Sequence, residues 1–364
     1  MNGVGGSDTD NCLSPTTACK TIGHAISLAA SGDTVMVSAA TYTEALTVSL
    51  NLNLIGAGAS TTIIDGRASG TVVTISNTTS HVTLSNLTIR NGKASSGAGI
   101  KNSGTLTLSN STVTGNWAPI PCHPLGLVCF SWGTAYGGGI YNSGALTITI
   151  SNSTITGNQA GGYCNGNPCS AFGGGIYNRG TRMVINSSTL NGNLAHTACS
   201  TSLSCQVGQG GAFYTFGSTV TLNNSTITGN SAYRCSGTCG GTGGAIVNGS
   251  GNLAMNNSTV SGNSGGLFNT GTATLQNSIV ANNSGPNCSG TITITLRDGP
   301  VNGSTLVNAS SVWRTCGSTS GKPASLTASK AFHCQAASSL TMVCVRIFSS
   351  DCSARAMVAP STTR

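Results

Sequence analysis

One seven-residue block recurs along the chain: Asn110-Ser-Thr-Val-Thr-Gly-Asn116, Asn152-Ser-Thr-Ile-Thr-Gly-Asn158, Asn224-Ser-Thr-Ile-Thr-Gly-Asn230 and Asn257-Ser-Thr-Val-Ser-Gly-Asn263. Degenerate copies lie at 86–92, 187–193 and 277–283. A second block alternates with it: Gly97-Ala-Gly-Ile-Lys-Asn102, Gly137-Gly-Gly-Ile-Tyr-Asn142, Gly173-Gly-Gly-Ile-Tyr-Asn178, Gly243-Gly-Ala-Ile-Val-Asn248 and the shorter Gly265-Gly-Leu-Phe-Asn269. A third, Thr105-Leu-Thr-Leu108, returns as Leu146–Ile148, Val220–Leu222 and Ala273–Leu275. Such self-similarity marks a repeat architecture, in which a unit buries its apolar face only against its neighbours.

Each unit holds three short segments of alternating apolar residues, separated by Gly, Asn and Ser. Period-2 alternation with β-branched residues reads as strand, and no helical period appears inside the repeat. Three strands and three turns in a compact unit such as 248–269 predict one coil of a right-handed parallel β-helix, an all-β solenoid. Aligning the blocks puts Ile89, Val113, Ile155, Leu190, Ile227, Val260 and Val280 in one inward column. Asn102, Asn142, Asn178, Asn248 and Asn269 form a turn column whose amides are expected to bond up and down the stack.

The predicted organisation is an N-terminal cap over 1–32, the β-helix over 33–290, and a divergent C-terminal coil, cap or artefactual tail over 291–364. Within the cap, Thr21 can begin a helix over 21–31, with Ile22, Ala25, Ile26 and Ala29 on one face and Gly32 as a stop. No apolar run reaches the length of a membrane span. Only 6% of residues are charged, and no dense basic stripe accompanies the net charge of +8, which argues against nucleic-acid binding. Fifteen cysteines point to an oxidising compartment, hence an extracellular or cell-surface location, although no signal peptide is visible. Each long insertion carries two: Cys122/Cys129, Cys164/Cys169, Cys199/Cys205 and Cys235/Cys239, with Cys12/Cys19 near the cap. Five local disulfides are expected, stapling loops at one corner of the coil, and no metal site.

Gly32-Asp-Thr-Val35, Ala40-Thr-Tyr-Thr-Glu44, Leu54-Ile-Gly56 and Ile63-Ile-Asp-Gly66 resemble the opening of bacterial secreted parallel β-helix proteins of the pectate-lyase-like superfamily. The Gly-Gly-Ala-Ile element is similar to the repeat of chlamydial polymorphic outer-membrane proteins, whose companion Phe-x-x-Asn repeat this chain lacks. The resemblance implies the fold over about residues 1–290. For function it implies a mixture of enzymes, adhesins and surface proteins. Lyases of that superfamily use acidic calcium ligands with an Arg or Lys proton acceptor, and related hydrolases use clustered carboxylates.

Glycosidic acid/base chemistry needs paired carboxylates. This chain has Glu44 and six Asp, at positions 8, 10, 33, 65, 298 and 351, and none between 66 and 297. Asp33 and Asp65 read as ordinary turn residues beside glycine. Asp8-Thr-Asp10 reads as a solvated turn in preference to a calcium loop. His123 and His196 read as surface-loop residues. The expectation is therefore a non-catalytic, adhesin-like or carbohydrate-binding surface protein, without cofactor and monomeric, whose partner is a polysaccharide or cell-surface ligand. Its binding residues would be the loop aromatics Trp117, Trp132, Tyr136, Tyr163, Phe172 and Tyr233. The outward rungs Thr112/Thr114, Thr154/Thr156 and Thr226/Thr228 would join them. A polysaccharide lyase or glycoside hydrolase is the alternative. A third reading, ice binding, rests on the Thr rungs, which are interrupted by Arg90, Asn191 and Ala281.

Overall fold

The computed structural model describes residues 1–295, apart from 126–127, 145–146, 166–168, 200–204 and 236–241, together with the strands Leu326–Ala328, Val343–Val345 and Ala356–Val358. The predicted right-handed parallel β-helix is observed. Three parallel sheets of 11, 9 and 9 described strands make its faces. One coil runs from Thr105–Ser109 on the first face to Thr112–Thr114 on the second and Ile140–Asn142 on the third, and then rejoins the first at Thr147–Ser151. Inward residues form one continuous core, with Ile89, Val113, Ile155, Leu190, Ile227 and Val260 fully buried and Val280 partly so.

The recurring block has a physical reading at nearly every position. Asn110, Asn152, Asn224 and Asn257 open it with φ 48°, a left-handed turn that asparagine tolerates better than most residues. The next residue is a buried serine whose hydroxyl accepts from the serine N–H one coil earlier: Ser111 to Ser153, 3.2 Å, and Ser153 to Ser188, 3.2 Å. Thr-x-Thr then alternates out-in-out. A left-handed glycine turns the chain, at φ 61° for Gly115 and 60° for Gly157. The closing Asn is buried, and its amide donates to the next coil, from Asn116 to Asn158 (2.9 Å), Asn158 to Asn193 (3.0 Å) and Asn193 to Asn230 (2.9 Å). The sequence reading missed this ladder. It did find the other one: Asn102 donates to Asn142 and Asn142 to Asn178, both 2.7 Å, and Asn248 to Asn269, also 2.7 Å. Thr215 takes Asn178's bond where the column lacks an asparagine.

At the N-terminal end the helix runs Ile22–Leu28, capped by the Thr21 side chain and ending at Ala29, short of Gly32. Ile22, Ala25 and Ile26 are buried against the first coils. Coiling could not continue over this end without exposing the apolar interior, which the helix covers.

The insertions differ from expectation. Their stems are strands, stacked coil on coil into a wing. Trp117–Ala118, Gln159–Cys164, Leu194–Cys199 and Ser231–Cys235 form a parallel outgoing sheet, and Gly133–Tyr136, Cys169–Phe172 and Cys205–Gln209 a returning one. The reason is stacking itself: a segment that leaves in register with its neighbour above satisfies its backbone bonds by repeating the same exit. Between the two sheets lies a small second core of Ala118, Ile120, Ala135, Ala160, Ala171 and the Cys164–Cys169 disulfide. Cys12–Cys19 is also formed, and Cys122 is disulfide-bonded. In each of the remaining expected pairings, Cys122–Cys129, Cys199–Cys205 and Cys235–Cys239, at least one side chain lies outside the described residues.

Candidate functional site

Where the second face hands the chain to the wing, three successive coils form a groove of about 400 Å³ lined by Asp65, Arg67, Asn91, Lys93, Gly115 and Trp117 among others. Register brings these distant residues together. Ile64 pairs with Ile89, and this sets Asp65 beside Arg90. Lys93 forms a parallel bridge with Trp117 one coil on. Arg67 and Asn91 hold left-handed turns at φ 46° and 56°.

Asp65 is 8% exposed, and it accepts from Arg90 Nε at 2.8 Å, from the Arg67 N–H at 3.0 Å and from Asn91 Nδ2 at 3.1 and 3.0 Å. Burial alone would push its carboxyl up. The bonds from Arg67, Arg90 and Asn91 and the Arg90 charge outweigh that and hold it below the usual carboxylate range. Asp65 is thus an anchored anion, which fixes Arg90 and Asn91. Above it the groove is cationic and aromatic. Lys93 Nζ lies 4.9 Å from the centre of the Trp117 ring. Trp117 remains 37% exposed, while its indole N–H donates 2.8 Å to the Gly161 carbonyl of the next coil. A side chain at Gly161 would collide with the His196 carbonyl, so this backbone can lie close under the indole only as glycine.

Three other described carboxylates, Glu44, Asp8 and Asp33, serve the N-terminal end. Glu44 accepts from the Ile22 and Gly23 N–H groups, both 2.8 Å, at the helix N-terminus. Asp8 accepts from the N–H groups of Lys20 and Thr21 and the Thr21 hydroxyl, bonds that hold its pKa down against desolvation. Asp33 accepts from Ala30 N–H at 2.8 Å. The acidic calcium ligands that the resemblance implies are not assembled in the groove: Asp65 is its one described carboxylate, and its oxygens already face a guanidinium and three N–H donors. Cys12, Cys19 and His24 lie close together, but the two cysteines are bonded to each other.

The expected binding residues are scattered. Only Trp117 lines the groove. Trp132 is 44% exposed and stacks on His123 at 4.0 Å, and Tyr163 is 58% exposed. Tyr136 and Phe172 pack against the third face, and Tyr233 lies against His196 at 5.3 Å. The threonine rungs form two columns on the second face, Thr112–Thr154–Thr189–Thr226 and Thr114–Thr156–Asn191–Thr228, the latter starting beside Arg90 and running away from the groove coil by coil. His196 is a strand residue of the wing and not a loop one; burial lowers its pKa, and its Nδ1 has no partner among the described residues. Sequence reasoning missed Asp65, Arg67, Arg90, Asn91 and Lys93. The signal was available: extending the inward column one coil upstream, from Ile89 to Ile64, places Asp65 against Arg90.

No protein family matches the chain, and no curated protein matches it in sequence. Among solved structures it is similar to pectin methylesterase PemA from Erwinia chrysanthemi (14% identity, 79% of each chain, TM-score 0.37) and pectin methylesterase from carrot (11% identity, 76% of this chain and 78% of that one, TM-score 0.37). It is also similar to the pectin methylesterase from Aspergillus niger (14% identity, 79% and 80%, TM-score 0.34). Similarity at this level carries no substrate or mechanism across. The expectation of a non-catalytic, adhesin-like protein is nevertheless corrected here. The solved structures similar to the chain are pectin methylesterases. Asp65, expected as an ordinary turn residue beside glycine, is instead brought by stacking into contact with Arg90 and Asn91.

Proposed function

We propose that this protein is an extracellular enzyme acting on an acidic polysaccharide, with the Asp65–Trp117 groove as its substrate groove. The observation that carries the reading is the composition of that groove: cationic Arg67 and Lys93 beside an exposed tryptophan face, over a single carboxylate already neutralised by Arg90. A tryptophan face takes a sugar ring, and cations take its carboxylate. The disulfides support an oxidising compartment.

One carboxylate cannot supply the acid/base pair of glycoside hydrolysis. β-Elimination fits better. It needs the uronate carboxylate neutralised, which acidifies the adjacent C5–H, and a base to remove that proton as the C4–O bond breaks and the double bond forms. Arg67 meets the carboxylate in this scheme. Lys93, beside the ring platform, takes the proton. Asp65 positions Arg90 and Asn91 and takes no part in the proton transfer.

The test is incubation with polygalacturonate and with methyl-esterified pectin, following ultraviolet absorbance of unsaturated ends and release of methanol separately. Unsaturated product from wild type, reduced at least a hundredfold in Lys93→Ala, is the expected result. Methanol without unsaturated product would move the reaction to ester hydrolysis. No turnover of any uronate polymer would end the enzyme reading.

A further inference from the structure

On the other side of the wing, the returning strands meet the third face in a corner packed with aromatic rings. Tyr141, Tyr177 and Tyr214 stand one above another in register, with centroids 5.4 and 5.5 Å apart and ring planes 5° and 6° from parallel. Tyr136 of the wing lies 4.7 Å from Tyr177, and Phe172 4.9 Å from Tyr214. Packing accounts for the rings but not for their hydroxyls. Phenylalanine, which stands at 172, would fill the corner as well. No hydrogen bond to the hydroxyl of Tyr136, Tyr141, Tyr177 or Tyr214 is found among the described residues. Tyr177 is only 6% exposed, yet its hydroxyl is not one of the buried side-chain atoms left without a partner, so the ring is covered while the hydroxyl reaches the surface. Because the three column rings stack on each other, their faces are occupied, and hydroxyl edges are what they present.

Cations border the same surface. Lys101 is the rung next to Tyr141. Arg179 is exposed and close enough to Tyr177 and Tyr214 for its charge to oppose the rise that burial causes in both phenols. No acidic residue occurs from 66 to 297, and the one ion pair among the described residues joins Arg90 to Asp65. Neither Lys101 nor Arg179 makes an ion pair among the described residues.

We propose that this corner is a second binding site, for an anionic saccharide, in which tyrosine hydroxyls along the column, with Lys101 and Arg179, hold carboxylate or sulfate groups. Phenol donors and a planar guanidinium suit an oxyanion, and the surface lacks the acid that would repel it. The site does not depend on what the groove does.

Titration calorimetry tests it in a Trp117→Ala background, where the groove's platform is gone, with trigalacturonate, a sulfated disaccharide and maltotriose as probes. The expected result is that an anionic probe binds at least tenfold more tightly than maltotriose. That preference is lost at least tenfold in the triple variant Tyr141→Phe/Tyr177→Phe/Tyr214→Phe, which keeps every ring, and in the surface variant Arg179→Gln. Whichever anionic probe binds more tightly identifies the group. Equal affinity for maltotriose, no binding of either anionic probe, or affinity unchanged in both variants would overturn the proposal.

Discussion

The regular coils and the junction at which the wing leaves them are adjacent in space and made of different residues. From Ile89 onward the coils are built of columns: aliphatic inward, Ser and Asn laddered at the turns, Thr outward. The junction breaks each of these habits. It brings together Asp65, Arg67, Arg90, Lys93 and Trp117, none of which has a like residue in the next coil. The difference teaches that in a solenoid of this kind a recurring residue reports on stacking. A residue occurring once in its column is the better guide to chemistry, because a single polar or charged group gains nothing from repetition.

The sharpest way to break the comparison is to exchange function for repetition. Replacing Lys93 by Ala should lower turnover of polygalacturonate by about 10²–10⁴-fold, the range of general acid–base contributions, with the melting temperature little changed. Replacing Ile155, which is fully buried in the main core, should do the reverse. Ile155→Ala should cost about 2–5 kcal/mol by denaturant titration. Ala160→Gly, in the wing's small core, should cost roughly 1 kcal/mol, since it removes a single methyl. Equal costs would mean that the wing and the coils form one packing unit.

Opening the Cys164–Cys169 bond by a double serine substitution probes the wing alone. For a loop this short the chain-entropy treatment gives about 2 kcal/mol. Hydrogen exchange should rise in the wing strands and stay unchanged at Asn116, Asn158 and Asn193. Acid should have the smallest effect. Asp65 is held below its ordinary range in the fold, so its stabilising contribution is complete above the unfolded-state value of about 3.9 and is lost as pH falls through the lower folded value. Asp65→Asn should flatten the acid limb of the stability profile by lowering stability near neutrality, where the contribution is complete, with the two proteins converging at low pH.

Much of the fold was legible because stacking forces residues into columns that a sequence alignment within one chain can recover. Ile155 and Asn142 were readable from their equivalents alone. The closing ladder through Asn116 and Asn158 went unseen although its residues stood in the quoted block, because the block's first and last asparagines look alike and only backbone geometry separates the left-handed turn from the buried amide. The wing was read as loops because its alanines, Ala118, Ala135, Ala160 and Ala171, lack the alternation of large apolar residues that marks a strand. Asp65 beside glycine has the signature of an ordinary turn. Its partners are 25 and 26 residues away, and only the coil length reveals them. Tyr141 and Tyr177 stood in the second block, but nothing in that pattern separates a stacked ring from any other repeated residue.

The claim that chemistry sits where the repeat breaks is tested most directly by a crystal structure of the protein with trigalacturonate. The account predicts a sugar ring lying on the exposed face of Trp117 with its carboxylate at Arg67 or Lys93. A saccharide seated instead along the Thr154/Thr156 and Thr226/Thr228 rungs, with the groove empty at saturating ligand, would contradict it.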